Sequence, residues 1–193
     1  MKRVLLLLCT GVELFEAAAF YDVLGWSGSD GSEAVEVVPV GMGDQVRCTF
    51  GLRLLTDLRL ADVHVEDFDA LAVPGGFGDH GFYEEAYSTE VGDLIRRFES
   101  SNKPIAAICV GALPVAHSGV LKGRRGTTYK LLGGHRRQEL ASFGVEVVDA
   151  PLVCDGRIMT STGPSTSVDV ALWLLSELTG QENADHIRRL MGF

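Results

Sequence analysis

Cys109 is the residue whose placement most plainly invites chemistry. It follows the apolar run Pro104–Ile108, which has strand length, and it precedes Val110-Gly111 and the helical stretch Leu113–His117. A residue at a strand-to-helix turn is forced outward, with its side chain over the first free N–H groups of the helix. Those donors and the helix dipole favour a thiolate and lower the thiol's pKa, which suits attack on an electrophilic carbon. Without that setting, Cys109 reads as a small buried hydrophobe, as most free cysteines do. Two carboxylates, Glu13 and Glu16, trail a second strand end at Cys9-Thr10-Gly11. They stand three positions apart on roughly one helical face, so spacing does not choose between them as a proton carrier. Acids in a first helical turn are also ordinary surface residues favoured by the dipole. Asp22 is rotated to another face and reads as structural or solvated. A third strand end carries the turn Pro74-Gly75-Gly76-Phe77-Gly78. Of the histidines, His117 lies near the end of the helix after Cys109, away from the thiol, and His64, His80 and His186 have no partner spacing. No metal-ligand pattern is apparent.

The elements that must hold these residues alternate strand and helix. Val4–Leu8 is a continuous apolar strand of the kind buried on both faces. Glu13–Leu24 reads as a helix with Leu14, Ala17, Ala18, Tyr21 and Leu24 on one stripe, and the Gly/Ser/Asp-rich Trp26–Glu33 as a loop. Val35–Val40 is a strand, and Val46–Leu55 a hairpin or bulged strand around Phe50-Gly51. Asp69–Val73 is a strand, Val91–Phe98 an amphipathic helix, and Pro104–Ile108 a further buried strand. Leu131–Phe143 reads as helical, Val145–Val148 and Arg157–Thr160 as strands. Thr166–Leu178 is a helix, with Thr166 and Asp169 in capping-box spacing and Gly180 as the stop. This alternation implies an α/β fold with a mostly parallel sheet and helices on both faces. In such sheets ligands bind beyond the carboxyl ends of the strands, where all three suggestive segments fall.

The chain has 193 residues, within the range of one domain spanning 1–193, and it can bury a core without disulfides or structural metal. Hydrophobic residues make up 46% and charged residues 22%, an ordinary globular balance. The net charge of −9 argues against nucleic-acid and anionic-membrane partners, which need a basic surface. No apolar run approaches the roughly 20 residues that span a bilayer. The apolar stretch Val4–Cys9 is too short for a secretory h-region and is followed at once by Glu13 and Glu16. Cys9, Cys48, Cys109 and Cys154 form no CxxC pair, so free thiols and a cytoplasmic location are expected.

The elbow AAICVGA occurs together with ALAVPGGFG, GVELFEAAAFYDVL and GRIMTSTGPSTSVDVALWLLSEL. This combination resembles the ThiJ/PfpI superfamily, relatives of class I glutamine amidotransferases and of the Parkinsonism-associated deglycase, over nearly the whole chain. The resemblance implies a flavodoxin-like sandwich, assembled as a homodimer and working on a small-molecule substrate without a cofactor. It places Cys109 at the family's reactive cysteine, Glu16 rather than Glu13 at the acid that contacts the thiol, and Gly76 and Val110 at the N–H groups of an oxyanion hole. Tyr129 stands where many members carry a histidine, and tyrosine is a poor base at neutral pH. His135, six residues on, is the histidine that could reach the site. Val110, where the intracellular peptidase branch has histidine, argues against a peptidase and brings the elbow nearest to the isocyanide-hydratase branch. Two functions follow. One is an enzyme adding water to a carbonyl, isonitrile or acyl group through a thiol adduct, with Glu16 as proton shuttle: a hydratase, a glyoxalase-like lyase or a hydrolase. The other is a redox-sensing or stress-protective protein that uses oxidation of Cys109.

Overall fold

Period-two alternation within the apolar runs builds two cores on opposite faces of one sheet. A computed structural model describes residues 1–193. In chain order it contains β1 (Lys2–Leu7), α1 (Leu14–Asp30), β2 (Val35–Gly41), β3 (Gln45–Arg47), β4 (Arg53–Leu55), β5 (Leu58–Arg59) and β6 (Ala70–Val73). There follow α2 (Phe82–Ala86), α3 (Thr89–Ser100), β7 (Ile105–Ala107), α4 (Ala112–His117), β8 (Arg125–Gly126) and α5 (His135–Ser142). The chain ends with β9 (Glu146–Val147), β10 (Leu152–Asp155), β11 (Ile158–Ser161), α6 (Ser167–Thr179) and α7 (Gln181–Met191). The seven-stranded sheet has the order β10-β11-β7-β6-β1-β2-β5, and every neighbouring pair is parallel except β10 with β11. β3 with β4 and β8 with β9 form small separate ladders.

Val4, Leu6, Ala70, Ala72 and Ala106 face α1, α6 and α7, where they meet Phe20, Leu24, Leu174 and Ile187. Leu5, Leu7, Leu71, Val73, Ile105 and Ala107 face the other way, onto Phe82, Ile95, Phe98, Leu113 and Leu140 of α2 to α5. Each fully buried Leu or Phe contributes roughly 1.5–3 kcal/mol. The mostly parallel α/β sandwich is therefore the architecture that the strand-helix alternation implied.

Local structure departs from the sequence expectations where side chains override propensity. Trp26–Glu33 is not all loop, because α1 runs on to Asp30. The buried Ser27 donates to the Leu24 carbonyl at 2.5 Å and accepts from the Val35 N–H at 3.1 Å, which ties the last turn to β2 despite its glycines. Leu131–Phe143 is helical only from His135, because Leu132, Gly133 and Gly134 all have positive φ (52°, 80° and 70°). Thr166 makes no capping box. Its hydroxyl donates back to the Gly163 carbonyl at 2.7 Å, and Asp169 pairs instead with Arg188. β10, α2 and α7 are further elements, and Glu146–Val147 lies in the side ladder, outside the main sheet. Since β1, β6 and β7 are adjacent in the sheet, their carboxyl ends deliver Gly11, Gly75-Gly76 and Cys109 to one place.

Candidate active site

Ile108 is extended, and at Cys109 the backbone swings to φ 58° before a 3-10 turn, Cys109–Gly111, enters α4. A non-glycine residue in the left-handed region carries strain of about 1–3 kcal/mol and is held there by its surroundings. Here the Thr128 hydroxyl donates to the Cys109 carbonyl at 2.8 Å, and the Gly111 N–H to that of Ile108 at 2.8 Å. The turn also needs room. A Cβ at Gly111 would lie 2.3 Å from the Val73 carbonyl oxygen, so the elbow rests directly on the end of β6.

Glu16, in the first turn of α1, is fully buried. Its Oε2 accepts from the Gly75 N–H at 2.7 Å, and its carboxyl meets the Cys109 thiol. Oε1 has no N–H or O–H partner. Burial pushes the Glu16 pKa up to about 8, against the lowering pull of the Gly75 N–H and of Cys109, and the charge of Glu13 adds to the rise. Burial is also the first influence on the Cys109 thiol and pushes it up, followed by the charge of Glu16, while the Val110 N–H pulls it down. The low thiol pKa expected from the helix N-terminus alone is therefore overturned, by burial first and by the Glu16 charge second. A proton on Glu16 removes that repulsion and turns the carboxyl into a donor toward sulfur.

Gly76 follows β6 with its N–H donating to no backbone or side-chain acceptor, while the flanking Phe77 N–H donates to Gly11 and the Gly75 carbonyl accepts from Glu13. A Cβ there would sit 2.4 Å from both the Gly11 carbonyl oxygen and the Phe82 ring, so only glycine fits. The Val110 N–H points at the thiol.

One pocket of about 400 Å³ brings together all seven residues singled out from the sequence: Cys109, Glu16, Gly76, Val110, Tyr129, His135 and Glu13. They are not equivalent within it. Glu13 is the N-cap of α1, its side chain accepting from the Phe15 N–H at 3.4 Å. Tyr129 makes no hydrogen bond and is partly exposed. His135 is exposed, with Nδ1 against the Leu132 carbonyl at 3.1 Å, and it engages neither Glu16 nor Cys109. His117 stacks on Tyr87, with centroids 4.6 Å apart, outside the pocket. The wall also contains Asp79, Tyr83 and Arg136, which sequence reasoning missed. Arg136 lies in the run GGHRRQ, which gives no sign of a packed residue.

The chemistry this supports is covalent attack by sulfur, a proton held on a buried carboxyl beside it, and a free N–H for a developing oxyanion. Similar proteins share the arrangement's scaffold. The sequence model of the DJ-1/PfpI family matches residues 2–177. The chain is 34% identical over 188 residues to the protein dj-1beta of Drosophila melanogaster, covering 97% of this chain and 95% of that one. It is 35% identical over 126 residues to a deglycase of Pyrococcus horikoshii, covering 64% of this chain and 69% of that one. The crystal structure of Drosophila melanogaster DJ-1beta matches with a TM-score of 0.86 at 32% identity, covering 98% of this chain and 97% of that chain. The matched span takes in the turn of Glu16, the Gly76 loop and the elbow of Cys109, and the chain belongs to the DJ-1/PfpI family.

Proposed function

We propose that the chain is a cysteine-nucleophile enzyme that adds water to a small electrophilic substrate, a carbonyl, isonitrile or acyl group, through a covalent adduct on Cys109. The observation that carries this reading is the fully buried Glu16 carboxyl set against a strained, pocket-lining Cys109. For an acyl substrate the cycle balances as follows. The Glu16 carboxylate takes the Cys109 thiol proton as sulfur attacks, and a C–S bond forms. The carbonyl π pair moves onto oxygen, facing the Gly76 and Val110 N–H groups. Collapse expels the leaving group, which takes the proton from Glu16. The Glu16 carboxylate then takes a proton from water, whose oxygen attacks the thioester carbon. The second collapse releases the acid, and Glu16 returns its proton to the departing Cys109 sulfur. A carboxyl with a pKa of about 8 is poised for both directions of transfer. The deglycase among the similar proteins supports a hydrolytic outcome.

Oxidation of Cys109 in a redox-sensing or stress-protective protein is the competing reading, favoured by the same free Gly76 N–H, which could hold a sulfinate oxygen. The two separate on a panel of small aldehydes, isonitriles and thioesters. Saturable consumption of one of them, lost in Cys109→Ser, with a trapped Cys109 adduct by peptide mass spectrometry, is expected for the enzyme. Fast alkylation of Cys109 with no turnover on any of them would instead support the oxidation reading.

We also infer that a second copy of the chain covers the outer face of α1 and the β3–β4 hairpin. Phe15, Tyr21, Leu52 and Leu55 are exposed there, at 59%, 51%, 54% and 78%, around an apolar groove that includes Leu14 and Leu54. Contiguous apolar surface of this kind marks association. Light scattering at micromolar concentration should give twice the chain mass, and a monomer mass would refute the dimer.

A further inference from the structure

Arg136 is held in the wall of the Cys109 pocket by more contacts than a surface arginine needs. Its guanidinium lies over the Tyr83 ring, 4.5 Å from the centroid, and Nη1 donates to Glu139 Oε2 at 2.8 Å. Glu139 is in turn fixed by the Tyr87 hydroxyl, which donates to Oε1 at 2.5 Å. These contacts orient the guanidinium but use only one edge of it. Nη2 and Nε have no acceptor and remain open to solvent. The Tyr129 hydroxyl, in the same pocket, is likewise unpartnered and accessible. Arg136 and Arg137 also stand in the first turn of α5, where Gly134 supplies no capping side chain. Cations at a helix N-terminus oppose the dipole, and an anion there would relieve both the dipole and the guanidinium. Asp79 shares this wall without pairing with Arg136, and Glu13 lies on the α1 wall beside Glu16. The open guanidinium donors of Arg136 therefore lie on the α5 side, across the pocket from the α1 carboxylates, while Arg137 pairs with Asp149.

We propose that Arg136, with the Tyr129 hydroxyl, forms an anion subsite in the Cys109 pocket, so that the substrate is a small electrophile bearing a carboxylate. The inference rests on Cys109 being the nucleophile, and it adds what the rest of the substrate must carry. Arg136 then determines specificity, with Glu139 and Tyr83 as its positioning residues.

Iodoacetate and iodoacetamide test this directly. In both, the thiolate forms an S–C bond and expels iodide, and they differ only in carrying a carboxylate or a neutral amide. Rates at Cys109 are read by peptide mass spectrometry and divided by the corresponding rates for glutathione. The normalised preference for iodoacetate should be about tenfold or more, as a charge-assisted hydrogen bond implies. It should fall to the glutathione value in Arg136→Gln and persist in part in Arg136→Lys, with the exposed Cys154 as an internal reference. A wild-type preference equal to that of Cys154, or one that survives Arg136→Gln, would overturn the subsite while leaving the nucleophile intact. No labelling of Cys109 by either reagent while the exposed Cys154 is labelled would overturn the nucleophile assignment and the subsite with it.

Discussion

Glu16→Gln should lower turnover by about 100- to 10,000-fold while leaving Cys109 alkylation largely intact, the range that general acid–base catalysis contributes. Gln preserves the shape of the buried side chain. Its amide oxygen can still accept from the Gly75 N–H, and its NH₂ can still donate to sulfur, as a protonated Glu16 would. It cannot hand a proton to a leaving group or take one from water. Glu16→Leu removes both capacities and also leaves the Gly75 N–H buried without an acceptor, which costs about 1–3 kcal/mol. Alkylation should therefore fall in Glu16→Leu and survive in Glu16→Gln. His135→Ala should alter neither rate appreciably, because the imidazole engages the Leu132 carbonyl rather than Glu16 or Cys109. Equal turnover in wild type and Glu16→Gln would show that another group moves the proton.

The same residue sets a pH dependence of stability. Folded Glu16 keeps its proton up to about pH 8, whereas in the unfolded chain it releases it near 4.5. Below the unfolded value both states hold the proton, and the stabilisation is fully present. As pH rises from there, only the unfolded state ionises, so stability falls by up to about 1.4 kcal/mol per pH unit until the folded carboxyl also titrates. The loss from this group should total on the order of 3–5 kcal/mol across the window. Glu16→Gln has no such group, so its stability curve should lack this slope. At pH 8 it should exceed wild type by a few kcal/mol in urea unfolding, although the two converge near pH 4. Parallel curves from pH 4 to 8 would mean that Glu16 is ionised in the folded protein.

The architecture was legible because its strands are plain in one dimension. Val4–Leu8 and Pro104–Ile108 are apolar throughout, and only a sheet covered on both faces buries such runs. The elbow followed from position alone, since Cys109 ends one of those runs. Spacing could not separate Glu16 from Glu13. The structure distinguishes them by burial, because Glu16 faces the sheet and Glu13 caps the helix. The end of α1 was hidden by Gly25, Gly28 and Ser29, whose weak helix propensity is overridden by packing on α6 and α7 and by the Ser27 hydrogen bonds. Arg136 was hidden for a different reason. Its orientation depends on Tyr83 and Glu139, and the stacking partner is distant in the chain, so no local pattern records it.

The tight packing of Gly76 against Gly11 and Phe82, and of Gly111 against Val73, bears on how such chains are told apart. Any sequence that builds this corner must place glycine at both positions, whatever stands at 109. The most recognisable letters of the motif therefore report carpentry rather than reaction. A descendant could exchange its cysteine, lose catalysis, and still be gathered with its relatives by the glycines alone. Kinship inferred from those positions carries information about where a site lies and almost none about whether it works, so assignments of activity within such a lineage have to be read from the side chains at 16, 109, 129 and 136.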